Sequence, residues 1–273
     1  MECNGFFHKQ TKCSSLTRDA VEAMLMVADY QWTCKDCEEK ESRDYNTQPP
    51  NSNTVSEQVK GERKDSLKIL QWNADGLSTK IFELRDRLLK DDIDICNIQE
   101  TKLKANAKTP YIQGYKSTKR ADRRGGIQGG GLITYIKDSI VYMNGPDSST
   151  NATEVTNIRA KLDKKSWVSV SNVYCPPPHS TGQVIEFKPE AIPTPEEAII
   201  TGDLNGHSPL WDVLQNPDQG GEQIEEWMFD KELSVLNDAS HTRINRATGG
   251  FSTPDVTLVG KKWNDKCTWK VGE

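Results

Sequence analysis

Residues 199–212 read IITGDLNGHSPLWD. An apolar run, Ala198-Ile199-Ile200, ends at Gly202, and Asp203, Asn205 and His207 follow on alternate positions. Acid, amide and imidazole groups bury at a cost unless they find partners. Ordinary turn chemistry after a strand accounts for them without any function. A catalytic strand end accounts for them too. The choice rests on whether other strand ends carry similar groups.

They do. LKILQW (67–72) alternates as a strand and leads to Asn73 and Asp75. IDICNIQE (93–100) reads as a buried strand with Glu100 at its end. WVSVSNVY (167–174) ends at Tyr174, where Pro176, Pro177 and Pro178 stop it. FSTPDVTLVG (251–260) is a late strand with a polar lead-in that carries Ser252 and Asp255. GLITYI (131–136) is a further strand. STKIFELRDRLLKDD (78–92) predicts a helix, with Ile81, Phe82, Leu84, Leu88 and Leu89 on one stripe and Ser78 as N-cap. GEQIEEWMFDKEL (221–233) predicts another. Strands interleaved with a few helices predict an α/β sandwich.

The bulk composition narrows the partners. Lys and Arg number 35 against 40 Asp and Glu, a net charge of −5, which excludes a uniformly basic nucleic-acid binder but leaves room for a local basic groove. No apolar run is long enough to span a bilayer, so no membrane partner is expected. MECNGFFHKQTKC lacks the apolar core of a secretory signal. The seven Cys are odd in number and unevenly spread, which points to a reducing, intracellular compartment and makes the Asn151-Ala152-Thr153 sequon a chance match. Residues 38–66 have few aliphatics, a Pro pair and many charges, and are expected to form a disordered linker.

Five strand ends thus offer acids, amides or a phenol and almost no bases. Hard oxygen donors suit Mg²⁺ (or Mn²⁺), which takes a few carboxylate or amide oxygens and keeps its waters. They suit Zn²⁺ poorly, because Cys and His are missing from these positions. Turn chemistry is the simpler reading of Asn73 and Asp75 alone; beside Glu100 and Asp203, metal binding is preferred.

The set QWNADGL, IQET, GGGLITYI, NVYCPPP, GDLNGHSPLW and FSTPDVTLV resembles the endonuclease/exonuclease/phosphatase superfamily over residues 67–260, and most of all its non-LTR retrotransposon branch, where Trp211 also follows the acid. The resemblance implies a four-layered α/β sandwich, two sheets flanked by helices, over residues 67–273. It implies that Asn73, Asp75 and Glu100 hold Mg²⁺. Asp203 matches the residue that activates the attacking water, Asn205 and Tyr174 match phosphate donors, and Asp255 matches the carboxylate that orients a catalytic His. Tyr174 could instead be a capping aromatic, His207 a substrate contact or an exposed loop residue. Trp211 is expected to pack beneath the GDLN loop.

That catalytic His is the departure. Relatives carry it in a late Ser-Asp-His motif before a final strand. The four histidines here are His8, His179, His207 and His241, and the sequence runs KKWNDKCTWKVGE to Glu273. The expectation is a C-terminally truncated domain that lacks the last strand and the His. Pro189, Pro193 and Pro195 interrupt a segment that is helical in relatives.

Two basic or soft clusters remain. YKSTKRADRRGG (115–126) carries Lys119, Arg120, Arg123 and Arg124; a solvated loop is the default and a DNA-backbone contact the alternative. Cys3, His8, Cys13, Cys34 and Cys37 resemble the second half of a PHD-type finger, over residues 1–37. With too few ligands for two closed zinc sites, the segment is expected to be a remnant. The leading expectation is a nuclear DNA endonuclease domain that nicks target DNA and leaves a 3′ hydroxyl for reverse transcription. The rivals are a non-catalytic relic that binds DNA or nothing, and a phosphatase or phospholipase of the same superfamily.

Overall fold

The computed structural model describes residues 66–118, 120–122, 129–146, 148–150, 152–177, 187–244 and 249–272. The chain divides into Met1–Lys60 and Gly61–Glu273, and every described residue belongs to the second unit. The linker over 38–65 and the finger residues Cys3, His8, Cys13, Cys34 and Cys37 therefore lie outside the described residues.

Two sheets make the body of this unit. The first has four strands, β1 (Ile69–Asn73), β2 (Ile95–Gln99), β3 (Tyr115–Ser117) and β4 (Ile133–Lys137), in the order β1-β2-β4-β3. The second has β5 (Tyr142–Asn144), β6 (Glu154–Lys161), β7 (Trp167–Tyr174), β8 (Ala198–Asp203), β9 (Ser234–Val235) and β12 (Asp255–Val259), in the order β5-β6-β7-β8-β12-β9. A short hairpin, β10 (Arg243–Ile244) and β11 (Phe251–Ser252), stands beside them. Helix α1 (Ile81–Lys90) covers the outer face of the first sheet and α2 (Gln219–Asp230) that of the second. This is the four-layered sandwich expected from the sequence.

Side-chain alternation and strand register together explain where the site must lie. Every second residue of each inner strand points between the sheets, and the pairings align these residues in three rows. In the first row Ile69, Ile95 and Ile136 face Ile158, Val170, Ile199 and Val259, and most join one apolar cluster. The second row is Gln71, Asn97 and Thr134 against Thr156, Asn172, Thr201 and Thr257. The third is Asn73 and Gln99 against Glu154, Tyr174, Asp203 and Asp255. The interior thus passes from aliphatic to amide and hydroxyl to carboxylate along one direction. Much of the middle row is hydrogen-bonded within the interior: Thr134 Oγ1 donates to Asn97 Oδ1 at 2.8 Å, Asn97 Nδ2 to Thr201 Oγ1 at 2.9 Å, and Gln99 Nε2 of the third row to Asn172 Oδ1 at 2.6 Å, while Thr156 Oγ1 is buried without a partner.

The other faces of the same strands build two apolar layers. Cys96 and Ile98 of β2 pack with Leu84 and Leu88 of α1. Ile200 of β8 and Val256 and Leu258 of β12 pack with Ile224, Trp227 and Met228 of α2. Asp218 caps α2, accepting from Gly221 N at 2.7 Å. Gly221 lies so close to the 207 loop that a Cβ there would strike the His207 carbonyl.

The first predicted helix needs correction. Its buried stripe is Leu84 and Leu88, while Phe82 and Leu89 are exposed. At about 100° per residue, Phe82 sits roughly 200° from Leu84, on the far side. Ser78 does not cap it but lies in a 3₁₀ turn, Leu77–Thr79, and Lys80 precedes the helix without a side-chain cap bond. Strand β6 was not anticipated, because EVTNIRAK mixes Asn and Arg into its pattern. Pro189–Ala191 forms a 3₁₀ turn where the prolines forbid a long helix.

Among the described residues no strand pairs with the outer edge of β1. A cleft of about 2220 Å³ follows that edge, from Asn73 and Asp255 at one end to Trp263 and Trp269 at the other. Trp269 Nε1 donates to Thr257 Oγ1 at 3.1 Å and so covers part of the inner face of β12.

Candidate active site

The third row gathers most of the residues singled out in the sequence. Asn73 Nδ2 donates to Glu100 Oε1 at 3.0 Å and to Asp203 Oδ2 at 2.6 Å, joining the two sheets through one amide. Asn73 Oδ1 accepts from Asp75 N at 3.0 Å. Asp255 stands opposite Asp203 in the antiparallel ladder, and Tyr174 beside Asp203 in the parallel one. Asn205 N donates to Asp203 Oδ1 at 3.2 Å, and Asn205 Nδ2 to the Cys175 carbonyl at 2.8 Å. Asn73, Asp75, Glu100, Tyr174, Asp203, Asn205 and Asp255 therefore occupy one end of the sandwich.

Glycine at 202 is required here: a Cβ would collide with the Val173 carbonyl, so only Gly lets β8 and β7 approach just before Asp203. Asp75, Glu100, Lys102 and Asn205 all adopt left-handed backbone, with φ of 44°, 48°, 50° and 46°. Such conformations cost non-glycine residues about 1 kcal/mol or more each and persist where the surroundings dictate them. The bonds that dictate them are visible: Gly76 N to Glu100 O at 2.9 Å, Leu77 N to Thr101 O at 3.0 Å, and Lys102 N to Gly130 O at 3.0 Å.

Electrostatically the site divides in two. Burial, then the Asp255 charge, lifts the Asp203 carboxyl well above its usual range, against the hydrogen bond from Asn73. Burial likewise pushes Asp255 up to about 6, despite the Gln71 hydrogen bond. Asp75, nearer solvent, is instead held below the ordinary range by its hydrogen bond to Lys102. The same contact raises Lys102.

Two residues of this site were missed in the sequence. Lys102 makes ion pairs with both Asp75 and Glu100, the latter at 3.0 Å from Nζ to Oε2. Gln71 Nε2 donates to Asp255 Oδ1 at 2.7 Å. Gln71 was findable, since it shares the face of Asn73 two residues on. Lys102 follows Glu100 by two residues but in a loop, where no periodicity announces direction.

The remaining candidates fall elsewhere. His207 Nδ1 lies 2.8 Å from Asp212 Oδ2, which also accepts from Thr253 N at 2.8 Å. The pair fastens the loop after β8 to the segment before β12. Trp211 is fully buried, its Nε1 donating to the Gly206 carbonyl at 3.0 Å, as packing beneath the GDLN loop requires. Arg120 commits its guanidinium to the Ala107 and Lys104 carbonyls, at 3.0 and 2.9 Å, and to Asp122, leaving 9% of its side chain exposed. Those donors staple a loop and are spent before any DNA phosphate could claim them. Lys119, Arg123 and Arg124 lie outside the described residues.

Among the described residues, no group of three or more His, Cys, Asp or Glu side chains is arranged to hold a metal ion. The chemistry of the donor set still fits Mg²⁺ or Mn²⁺: two carboxylates converge on one cationic centre, the Lys102 ammonium, and Mg²⁺ commonly uses one or two carboxylates and retains water.

Comparison with known proteins agrees with this architecture. Residues 168–273 match the family described as endonuclease-reverse transcriptase. The probable RNA-directed DNA polymerase from transposon X-element of Drosophila melanogaster is 30% identical over 178 residues, 65% of this chain and 19% of the fly protein. The RNA-directed DNA polymerase from mobile element jockey, also of Drosophila melanogaster, is 30% identical over 146 residues, 54% of this chain and 16% of that protein. The chain thus spans less than a fifth of these curated relatives. Among solved structures, the endonuclease domain of TRAS1, a telomere-specific non-LTR retrotransposon, superposes with a TM-score of 0.56 at 18% identity, covering 73% of this chain and 88% of that one. An AP endonuclease from Archaeoglobus fulgidus gives 0.52 at 16% identity, covering 76% and 92%. At these identities the structural likeness speaks for the fold.

Proposed function

We propose that the described domain is a nuclease of the endonuclease/exonuclease/phosphatase superfamily, on its non-LTR retrotransposon branch, and that it cleaves phosphodiester bonds in DNA with a divalent cation, leaving a 3′ hydroxyl; the family match, the transposon relatives and the shared fold support this reading. One observation carries this reading: a single amide, Asn73, joins Glu100 and Asp203 across two sheets, at the end of the sandwich where the cleft opens.

Asp75 and Glu100 would hold Mg²⁺ or Mn²⁺, with Asn73 beside them. When bound, that ion supplies charge neutralisation at the phosphate and at the leaving 3′ oxygen. Asp203, fixed by Asn73 and by the Asn205 N–H, takes the proton of the attacking water; its raised pKa brings it nearer to the range where a base works at neutral pH. Asn205 keeps a second amide hydrogen for a phosphate oxygen while the first is held by Cys175 O. Tyr174, paired with Asp203 in the parallel ladder, would supply a phenol donor to the same phosphate.

A second reading is a domain that binds DNA without cutting it. It is favoured by Asp255, whose carboxylate accepts from Gln71, while no described histidine bonds to Asp203 or Asp255.

Nicking of supercoiled plasmid by the purified chain tests both. Nicking in Mg²⁺ that vanishes in EDTA and in the Glu100→Ala variant is the expected result. A folded chain that retains plasmid but leaves it uncut would establish the second reading instead.

A further inference from the structure

The Lys102 ammonium lies where the acidic half of the site converges. Its Nζ contacts Glu100 Oε2 at 3.0 Å and the Asp75 carboxylate, while Glu100 Oε1 is taken by Asn73. A surface lysine in an ion pair ordinarily contributes little and swings between partners. Three features separate Lys102 from that case. It bridges two carboxylates rather than one. Its backbone is left-handed, as is that of Glu100, and its N–H is tied to the Gly130 carbonyl, so the scaffold aims the side chain. And 39% of the side chain is exposed, so it can leave without unfolding anything.

We propose that Lys102 is the resident counter-ion of the acidic site: it neutralises Asp75 and Glu100 in the metal-free protein, and a divalent cation must displace it to bind. The proposal rests on the metal-dependent reading above and deepens it. Without Lys102 the carboxylates of Asp75, Glu100, Asp203 and Asp255 would crowd one strand end with only longer-range help from Lys80 and Arg243. With it, the metal-free site is held together at a cost to metal affinity. An ammonium and a divalent cation cannot share the same two carboxylates: at a few ångströms, even aqueous screening leaves a repulsion worth about tenfold or more in the binding constant.

The test is calorimetric titration of Mn²⁺ into the full 273-residue chain without DNA, for the parent protein, Lys102→Met, Lys102→Arg and Glu100→Gln. The expected result is that Lys102→Met binds Mn²⁺ about tenfold or more tightly than the parent. Lys102→Arg, which keeps the charge, stays near the parent, and Glu100→Gln loses binding. Melting adds a second readout: metal-free Lys102→Met unfolds at a lower temperature than the parent but gains more from Mn²⁺. If the parent binds through Glu100 and Lys102→Met binds equally or less well, the counter-ion role is overturned and the metal reading survives. If neither binds Mn²⁺, both fall together.

Discussion

Replacing Asp255 by Asn probes the tension between stability and charge at this site. Burial pushes the Asp255 carboxyl from 3.8 up to about 6. A carboxyl whose pKa is raised on folding binds its proton more tightly in the folded state. Its contribution is therefore fully present below about 4 and is lost as pH rises through about 6. At pH 7.5 the ionised group opposes folding, by at most about 3 kcal/mol if each pKa unit is worth 1.36 kcal/mol. Asp255 retains some contact with solvent, so about 1–2 kcal/mol is the working figure. Asn keeps the oxygen that accepts from Gln71, and the bond from Asn237 Nδ2 goes to the Asp255 backbone carbonyl, which the substitution leaves alone. The metal-free Asp255→Asn protein is thus expected to melt roughly 2–8 °C higher than the parent at pH 7.5, with no gain at pH 4. Thermal unfolding in EDTA at the two pH values, followed by circular dichroism, measures it. A variant that is less stable at pH 7.5, or equally shifted at both pH values, would refute the account of Asp255 as a buried, strained charge.

Two other substitutions bear on the same scaffold. Trp211→Ala removes a fully buried indole and its bond to Gly206 O, and should lower the unfolding free energy by about 3–5 kcal/mol in a urea titration. An unchanged midpoint would mean that the GDLN loop stands without it. Asn73→Ala separates Glu100 from Asp203 and leaves both carboxylates without their shared donor. Plasmid nicking should fall about 100-fold or more while the far-ultraviolet spectrum is retained, and near-parent nicking would show that the amide is only a strand cap.

The site was legible to the extent that it lies on strands. Alternation places Gln71 with Asn73 and Thr201 with Asp203, and strand ends mark where a pattern breaks into polar residues. Register was not legible. Asn73 meets Asp203 across 130 residues and Gln71 meets Asp255 across 184, and no local signal says which strands adjoin. Lys102 stayed hidden for a different reason: its direction follows from a left-handed backbone imposed by the 76–77 and 130–131 segments, which is a tertiary fact. Arg120 misled because charge alone does not reveal that carbonyls have already claimed a guanidinium. Phe82 and Leu89 misled because apolar residues near a helix stripe need not belong to it.

The three rows between the sheets show why the acids can exist where they do. Carboxylates placed directly on the isoleucine row would meet only aliphatic neighbours, and burial would drive them to the neutral form. The intervening amide row changes the boundary. Gln71 turns its donor to Asp255, Asn172 accepts from Gln99 of the third row, and Asn97 anchors Thr134 and Thr201. Most of these side chains are buried polar groups, and their mutual bonds offset much of the cost of burying them, although Thr156 Oγ1 in the same row lacks a partner. They hand a few donors forward to the acids at the mouth. The gain is incomplete, since Asp203 and Asp255 remain raised, and this incompleteness fits the proposed chemistry. A fully satisfied pair of carboxylates would be too weakly basic to take a proton from water near neutral pH, and a pair set in hydrocarbon would stay protonated and inert. A graded interior holds them between these limits, and a cation bound at Asp75 and Glu100 would then draw them toward the ionised form.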